Sequence, residues 1–165
     1  MKILAVAALL CALMALTPAA PAAEEEPEEA PAEDLMEVEK RTWRYYSGRY
    51  FLYVPKEMSW QEADNNCRRM GGLLASVDTY NEYQHIRSLM SNSGAGSVWL
   101  GSFYSFDAGR WVWSDGTPFK RQHWCSQPYN TGTQRCLLMN YIYNKKCWND
   151  ERCEHRFPSI CARKA

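Results

Sequence analysis

Cysteine is the residue type that most constrains how this chain can fold. The sequence contains seven cysteines, and six of them follow residue 60: Cys67, Cys125, Cys136, Cys147, Cys153 and Cys161. The seventh, Cys11, lies in an apolar segment at the N-terminus. Six thiols can pair in 15 ways, and their spacing alone does not choose among these pairings.

The N-terminal residues predict export from the cell. Met1 and Lys2 give a charged start, residues 3–16 are apolar, and small residues follow them. An apolar stretch of this length, followed by small residues, is typical of a signal peptide and is too short to span a membrane. We therefore expect a signal peptide at residues 1–22 and no transmembrane segment.

Disulfide bonds are the expected use of the remaining cysteines. Because Cys11 lies within the signal peptide, the exported chain keeps an even number of thiols in an oxidising environment, where disulfides persist. The alternative is a metal site at Cys147, Cys153 and His155, but their spacing matches no recognised pattern of zinc ligands.

Residues 23–41 form a strongly acidic segment. Nine Asp or Glu residues lie between positions 24 and 39 among Pro and Ala, and the dibasic pair Lys40-Arg41 ends the run. Such a segment does not fold alone. Removal of residues 1–41 would take 9 of the 19 acidic residues but only 3 of the 19 basic ones, leaving a net charge of +6. Two interpretations stay open: a solvated linker, or a pro-segment that masks a basic domain until a protease cleaves after Lys40-Arg41.

The remaining residues, 42–165, have a length that suits one domain, and their patterns predict two early helices followed by short strands. Capping-box patterns at 59–62 (Ser-Trp-Gln-Glu) and 79–82 (Thr-Tyr-Asn-Glu) each predict a helix start. An aromatic run at 43–54 predicts a hairpin that Pro55 ends. Further strands are predicted at 98–100, 111–113, 136–143, 147–148 and 157–162. This order indicates an α+β fold.

Several motifs in this order resemble the C-type lectin-like domain. They are Trp99-Leu100-Gly101, Trp111-Val112-Trp113-Ser114-Asp115-Gly116, Cys147-Trp148-Asn149-Asp150 and the cysteines around them. The resemblance covers about residues 43–164. It implies two helices, short antiparallel strands and a long loop region, cross-linked by the disulfides Cys67–Cys161 and Cys136–Cys153. The two cysteines that remain, Cys125 and Cys147, suggest a third, local bridge.

Within that family the chain resembles small secreted fish proteins, namely the galactose-binding lectins of mucus and plasma and the type II antifreeze proteins. Cys125 and Cys147 lie at equal distances on either side of Cys136, which matches an additional bridge of that group. The chain departs from the group in two ways. It lacks the extra N-terminal cysteine pair of many relatives, and its calcium motif is altered.

In relatives that bind sugars through calcium, the ligands are a Glu-Pro-Asn or Gln-Pro-Asp triplet, a later glutamate and the Asn-Asp of Trp-Asn-Asp. Here the triplet reads Gln127-Pro128-Tyr129, the glutamate position holds Gln134, and Asn149-Asp150 is intact. Calcium affinity rises with the number of carboxylate ligands, and Tyr129 and Gln134 each remove one. Arg135 and Lys145-Lys146 oppose a dication further. We expect a degenerate calcium site at Gln127, Gln134, Asn149 and Asp150, with weak calcium binding or none, and no required cofactor.

The resemblance implies a secreted lectin for galactosides or lactose on microbial or host cell surfaces, largely independent of calcium, that agglutinates cells in innate defence. Agglutination needs at least two sites per particle, which a homo-oligomer would supply. The expected carbohydrate-binding residues are Gln127, Tyr129, Gln134, Asn149 and Asp150, with Trp124, Tyr141 and Tyr143 as further aromatic platforms. Amide and carboxylate groups make the directional hydrogen bonds that sugar hydroxyls require.

Three alternatives to sugar binding stay open. The motif could be a remnant that only holds the loop, the domain could bind a protein, or it could bind ice as type II antifreeze proteins do. The charged residues around the loop argue against ice, since ice recognition favours a flat, weakly charged surface. No serine or cysteine has a recognisable base, and His85, His123 and His155 are interpreted as structural or surface residues. We therefore predict neither an enzyme nor a nucleic-acid-binding protein.

Overall fold

The structure is a computed structural model that describes residues 42–120, 123–126, 135–142 and 145–165. These residues form two helices and eight strands, which in chain order are β1 (Arg44–Tyr46), β2 (Arg49–Met58), α1 (Trp60–Arg69), β3 (Leu73–Leu74), α2 (Tyr80–Ser93), β4 (Ser97–Ser105), β5 (Arg110–Trp113), β6 (Arg135–Ile142), β7 (Lys145–Arg152) and β8 (Phe157–Lys164). The predicted α+β class is confirmed. Neither helix of the described residues has the length and apolar character that crossing a membrane requires.

The eight strands belong to one sheet whose main path runs β1-β2-β8-β4-β6-β7. The last strand, β8, lies inside this path, between β2 and β4, and it also pairs with the short β3. Its contact with β4 is parallel, at Trp99 opposite Ser159, whereas the other strand pairs are antiparallel. The two ends of the domain therefore meet in the sheet.

Both predicted capping boxes are confirmed. The Ser59 hydroxyl accepts a hydrogen bond from the Glu62 amide, and the Glu62 carboxylate accepts one from the Ser59 amide at 2.9 Å. Thr79 and Glu82 make the same reciprocal pair at the start of α2. Each box satisfies backbone N–H groups that the first helical turn leaves unpaired.

The structure corrects the prediction that Pro55 ends its strand. β2 continues to Met58, and its ladder with β8 is interrupted between Val54 and Met58, where the register shifts. Proline has no N–H to donate, so it is tolerated where the ladder is already broken by a bulge. The strand β3 was not predicted, because two residues are too few to show an alternating pattern.

Alternation along the strands divides the core between the two faces of the sheet. Neighbouring residues such as Phe51 and Leu52 belong to different clusters of buried side chains, because successive side chains of a strand point to opposite faces. The cluster that contains Phe51 packs against α2, and the cluster that contains Leu52 packs against α1. The helices therefore cover opposite faces of the sheet.

Three disulfides cross-link the fold, and they are the pairs that the family resemblance implies. Cys67–Cys161 joins α1 to β8. Cys136–Cys153 joins β6 to the turn that follows β7. Cys125–Cys147 joins the segment 123–126 to β7.

We expect Gly101→Ala to destabilise the domain by about 1–3 kcal/mol, because a Cβ atom at Gly101 would lie 2.3 Å from the carbonyl oxygen of Leu74. Gly96→Ala is the matched control, since a Cβ atom there would meet no atom within 4 Å. Its free energy of unfolding should stay within about 0.5 kcal/mol of the parent. Urea unfolding measures both values. Equal stability of the two variants would contradict the close approach of β3 to β4.

Candidate functional site

The candidate ligand site is built on the hairpin of β6 and β7. The ladder places Leu137 opposite Asp150 and Leu138 opposite Asn149. Arg135 is two residues from Leu137, so its side chain leaves β6 on the same face as Leu137 and meets the Asp150 side chain as a diagonal neighbour. The register of the hairpin therefore brings Arg135 to Asp150.

Arg135 and Asp150 form an ion pair that is largely removed from water. Arg135 Nε donates a hydrogen bond to Asp150 Oδ2 at 2.7 Å, and Arg135 Nη2 donates one to the Asp150 carbonyl oxygen at 2.8 Å. The Asp150 side chain is 1% exposed and the Arg135 side chain 16%. A buried carboxylate requires a paired charge, and here the guanidinium supplies it.

A short segment before the loop is attached to β7 at three points. Trp148 N donates a hydrogen bond to the His123 carbonyl oxygen at 2.7 Å, and Cys125 N donates one to the Trp148 carbonyl oxygen at 2.8 Å. The third point is the Cys125–Cys147 disulfide. One end of the loop is thus held next to Asn149 and Asp150 by backbone hydrogen bonds and a covalent bond.

Trp124 packs into the aromatic cluster of the core. Its ring centroid lies 5.2 Å from that of Trp111, 6.1 Å from that of Trp148 and 6.4 Å from that of Phe119. The sequence suggested Trp124 as a platform for a sugar. These contacts give the ring a structural role at the start of the loop.

The histidines make packing contacts in separate parts of the fold. His85 stacks on Tyr46 at 4.3 Å, and His123 stacks on Tyr83 at 3.8 Å. Burial lowers the pKa of both imidazoles below the ordinary value, which favours their neutral form. His155 lies 3.3 Å from the Glu151 carboxylate at the surface. These contacts have the character expected of structural residues.

The described residues include two of the five predicted sugar-binding residues. Asn149 and Asp150 occupy consecutive positions of β7, with Asn149 partly exposed and Asp150 buried. Gln127, Tyr129 and Gln134 lie outside the described residues, as does Tyr143. From the sequence, Arg135 is predicted only to be a positive charge near the site. In the structure its side chain donates a hydrogen bond directly to the Asp150 carboxylate.

A comparison with protein families matches residues 56–163 to the lectin C-type domain. The chain belongs to this family. A type-2 ice-structuring protein of Hemitripterus americanus is 32% identical over 96% of this chain and 98% of its own length. A lactose-binding lectin l-2 of Anguilla japonica is 33% identical over 72% of this chain and 74% of its own. The solved structure of a calcium-independent type II antifreeze protein is 34% identical, covers 74% of this chain and 92% of its own, and superposes with a TM-score of 0.66.

The C-type lectin domain family implies a calcium ion beside Asn149 and Asp150, but the described residues do not fit one. No group of three or more Asp, Glu, His or Cys residues that could hold a metal ion occurs among them. The buried carboxylate, Asp150, is already bonded to Arg135. A dication next to this carboxylate would lie beside a guanidinium, which repels it.

A cleft of about 560 Å³ lies between α1 and the end of β5 and offers little surface to a ligand. The indole rings that line it, Trp60 and Trp113, are only 6% and 3% exposed. Its charged groups already pair, because Arg68 Nε donates to Asp64 Oδ2 at 2.8 Å. Asp64 Oδ1 and Ser114 Oγ have no partner among the described residues, and such atoms are typically satisfied by buried water.

We expect Arg135→Gln to lower the free energy of unfolding by about 3 kcal/mol, because it removes the charge that compensates a buried carboxylate. Arg152 is the matched control, since it lies directly opposite Arg135 in the ladder and pairs with Glu154 at 2.6 Å on the surface. The side chains of Arg152 and Glu154 are 55% and 59% exposed. Arg152→Gln should therefore leave the free energy of unfolding close to that of the parent. Urea unfolding compares the variants. Equal losses would mean that Asp150 does not depend on Arg135.

Proposed function

We propose that this C-type lectin domain is a secreted carbohydrate-binding protein that takes galactosides without calcium. The ion pair between Arg135 and Asp150 carries the proposal. In calcium-dependent relatives the cation both compensates the Asp carboxylate and binds sugar hydroxyls. Here Arg135 already compensates the carboxylate, so a metal is not needed to stabilise this end of β7.

The attachment of the loop supports independence from calcium in a second way. Backbone hydrogen bonds from the 123–126 segment to Trp148, together with the Cys125–Cys147 disulfide, hold one end of the loop. A covalent bond restrains the chain without a metal, by reducing the freedom of the loop that it closes. The family also includes a solved antifreeze protein described as calcium-independent, so its fold does not require the ion.

The sugar assignment rests on the chemistry of the residues next to this ion pair. Gln134 directly precedes Arg135, and Gln127-Pro128 resembles the Gln-Pro with which the triplet of galactose-type relatives begins. We assign Gln127, Gln134 and Asn149 to hydrogen bonds with hydroxyl groups and Tyr129 to contact with the apolar face of the sugar. Asp150, predicted to bind the sugar directly, is 1% exposed and instead orders this end of β7 through its bond to Arg135. The similarity to a lactose-binding lectin supports the same class of ligand.

We further propose that the chain is exported and acts outside the cell as an agglutinin in innate defence. The apolar N-terminal segment, the three disulfides and the similarity to fish lectins and ice-structuring proteins support export. We propose residues 1–22 as the signal peptide and residues 23–41 as an acidic linker or a pro-segment that ends at Lys40-Arg41. No feature of the described residues suggests a reaction, and we propose a binding role.

Ice binding is the second candidate function. It is favoured by the similarity to an ice-structuring protein, which extends over 96% of this chain. Exposed charges near β7 weigh against it, since Arg152, Glu154 and Arg156 are all more than half exposed at the side chain. A measurement of thermal hysteresis distinguishes the candidates. Hysteresis without retention on immobilised lactose would favour ice binding and overturn the lectin proposal.

Retention on immobilised lactose should be the same in calcium and in EDTA, because no step of binding depends on the ion. Tyr129→Ala should weaken lactose binding about threefold to tenfold, the effect of losing one aromatic contact. Tyr45→Ala is the matched control, since Tyr45 is a tyrosine of β1 that is 62% exposed. Loss of retention in EDTA that calcium restores would contradict the proposal, and equal binding by both tyrosine variants would move the sugar away from Tyr129.

We expect a functional calcium site only in a variant that has carboxylates at positions 129 and 134 and that also lacks the Arg135 guanidinium. We expect Tyr129→Asp with Gln134→Glu to gain little stability from calcium while Arg135 still holds Asp150. Adding Arg135→Gln should make the melting temperature rise with calcium concentration, since a ligand that binds only the folded state stabilises it. The single variant Arg135→Gln is the control. A rise of the same size in the double variant would show that Arg135 does not exclude the ion.

A further inference from the structure

We propose that this C-type lectin domain has a second binding site, for a sulfate or phosphate ester on a glycan, between α2 and the start of β7. The site is an open cleft of about 430 Å³ lined by Gln84, Arg87, Ser88, Ser91 and Lys146. This volume lies within the range of about 300–1,000 Å³ that small-molecule sites occupy. The anion site itself is independent of the proposed galactoside site, and only the choice of a glycan as carrier rests on that function.

The cleft lies between one face of α2 and Lys146, the second residue of β7. Residues 84, 87, 88 and 91 follow the spacing that puts side chains on one face of a helix. Tyr83 Oη donates a hydrogen bond to the Lys146 carbonyl oxygen, which joins the helix to the strand. Lys146 Nζ then reaches over α2, where it donates to the Ser91 hydroxyl and to the Arg87 carbonyl oxygen.

Two cations share this cleft without a carboxylate. Neither Arg87 nor Lys146 forms an ion pair within the part of the chain that the structure describes. By contrast, carboxylates pair with the arginines of the other charged clusters, which are Arg49, Arg68, Arg135, Arg152 and Arg156. Like charges in one cleft repel each other, and a bound anion would relieve that repulsion.

The neighbouring titratable groups report the same positive field. Burial and the adjacent Arg87 guanidinium both lower the pKa of Lys146 below its usual value. The same two causes, burial first and then Arg87, lower the pKa of His123, which stacks on Tyr83 at the edge of α2. The positive field of Arg87 therefore extends to groups on β7 and on the 123–126 segment.

The Arg87 guanidinium retains hydrogen-bonding capacity. Its Nη1 donates to Gln84 Oε1 at 3.1 Å, and its carbon lies 5.5 Å from the centre of the Tyr83 ring. Its Nε is buried and has no hydrogen-bond partner among the described residues. Since the guanidinium carries four further N–H groups on its Nη atoms, those that do not bond Gln84 remain as donors to an acceptor in the cleft.

A sulfate or phosphate ester suits these donors best. It offers several oxygens that only accept hydrogen bonds, and arginine and lysine both bind such groups through charge-assisted hydrogen bonds. The exposed Ser88 hydroxyl adds a neutral donor at the rim. Lys146 and Asp150 are four residues apart on β7, which corresponds to roughly 13 Å along a strand. The two sites therefore have room for separate groups of ligand.

Sodium sulfate and sodium phosphate are the first probes, added to the full-length protein at constant ionic strength and followed by two-dimensional NMR. We expect saturable shifts of the Arg87 Nη–H signals and of the Ser88 and Ser91 amides. Arg87→Gln and, independently, Lys146→Gln should each weaken binding about tenfold, the effect of losing a charge-assisted hydrogen bond. Chloride alone should have no saturable effect.

Arg69→Gln is the matched control. Arg69 is an exposed arginine on α1 whose guanidinium donates to Asn66 three residues earlier, as that of Arg87 does to Gln84. This variant should bind the anions like the parent. Equal weakening by Arg69→Gln, or shifts that grow linearly without saturation, would overturn the site and indicate only a general effect of charge.

A second titration tests whether the anion is bound as an ester of a sugar. It uses galactose 6-sulfate, galactose 6-phosphate and galactose. We expect the two esters to saturate the signals of the cleft and galactose to leave them unchanged, and the tighter ester identifies the preferred group. Binding of inorganic anions without either ester would overturn the glycan assignment. Retention on lactose tests the galactoside site separately, and Arg87→Gln should leave that retention unchanged.

Discussion

The insertion of β8 into the sheet is the interaction on which the rest of this domain depends. β8 pairs with β2, β3 and β4, and its Cys161 is bonded to Cys67 of α1. Ile160 and Cys161 are fully buried and contribute to the cores on opposite faces of the sheet. Because β8 is the last strand of the chain, the sheet closes only through contacts between distant parts of the sequence. Such contacts make folding slow, since loop-closure entropy is lost before they form.

The hairpin of β6 and β7 depends on that sheet and carries opposite electrostatic arrangements at its two ends. At Asp150 the charges are compensated, because Arg135 donates to the buried carboxylate and to its backbone carbonyl. At Lys146 the charges are uncompensated, because the neighbouring side chain from α2 is Arg87, another cation. The compensated carboxylate supports the proposal of binding without calcium, and the uncompensated cations support the proposal of an anionic ligand. The same two strands thus support both proposals for different physical reasons.

Local chemistry explains which features the sequence could predict. Both helix starts were predictable, since Ser59 with Glu62 and Thr79 with Glu82 interact within one turn. The Arg135–Asp150 pair was not, because it requires the register of the hairpin. The predicted strands 136–143 and 147–148 did not fix the position of the turn between them. In the structure β6 ends at Ile142 and β7 begins at Lys145. The spacing of the cysteines could not predict which of them pair, and the pairing was predicted from the family resemblance instead. Gln127, Tyr129 and Gln134 lie outside the described residues, so their roles stay predictions.

The fold cannot by itself decide between sugar and ice, because the C-type lectin domain family includes relatives named for both. The decision lies in the surface chemistry beside β7. Sugar hydroxyls are bound by directional donors and acceptors, which charged and amide side chains supply at little cost when they are already ordered. The guanidinium of Arg135 is ordered in this way by its two bonds to Asp150. Ice presents a regular lattice of water that exposed charges such as Arg152 and Glu154 would disturb. These exposed charges, together with the ordered Arg135–Asp150 pair beneath the loop, support the proposal of a carbohydrate ligand over ice.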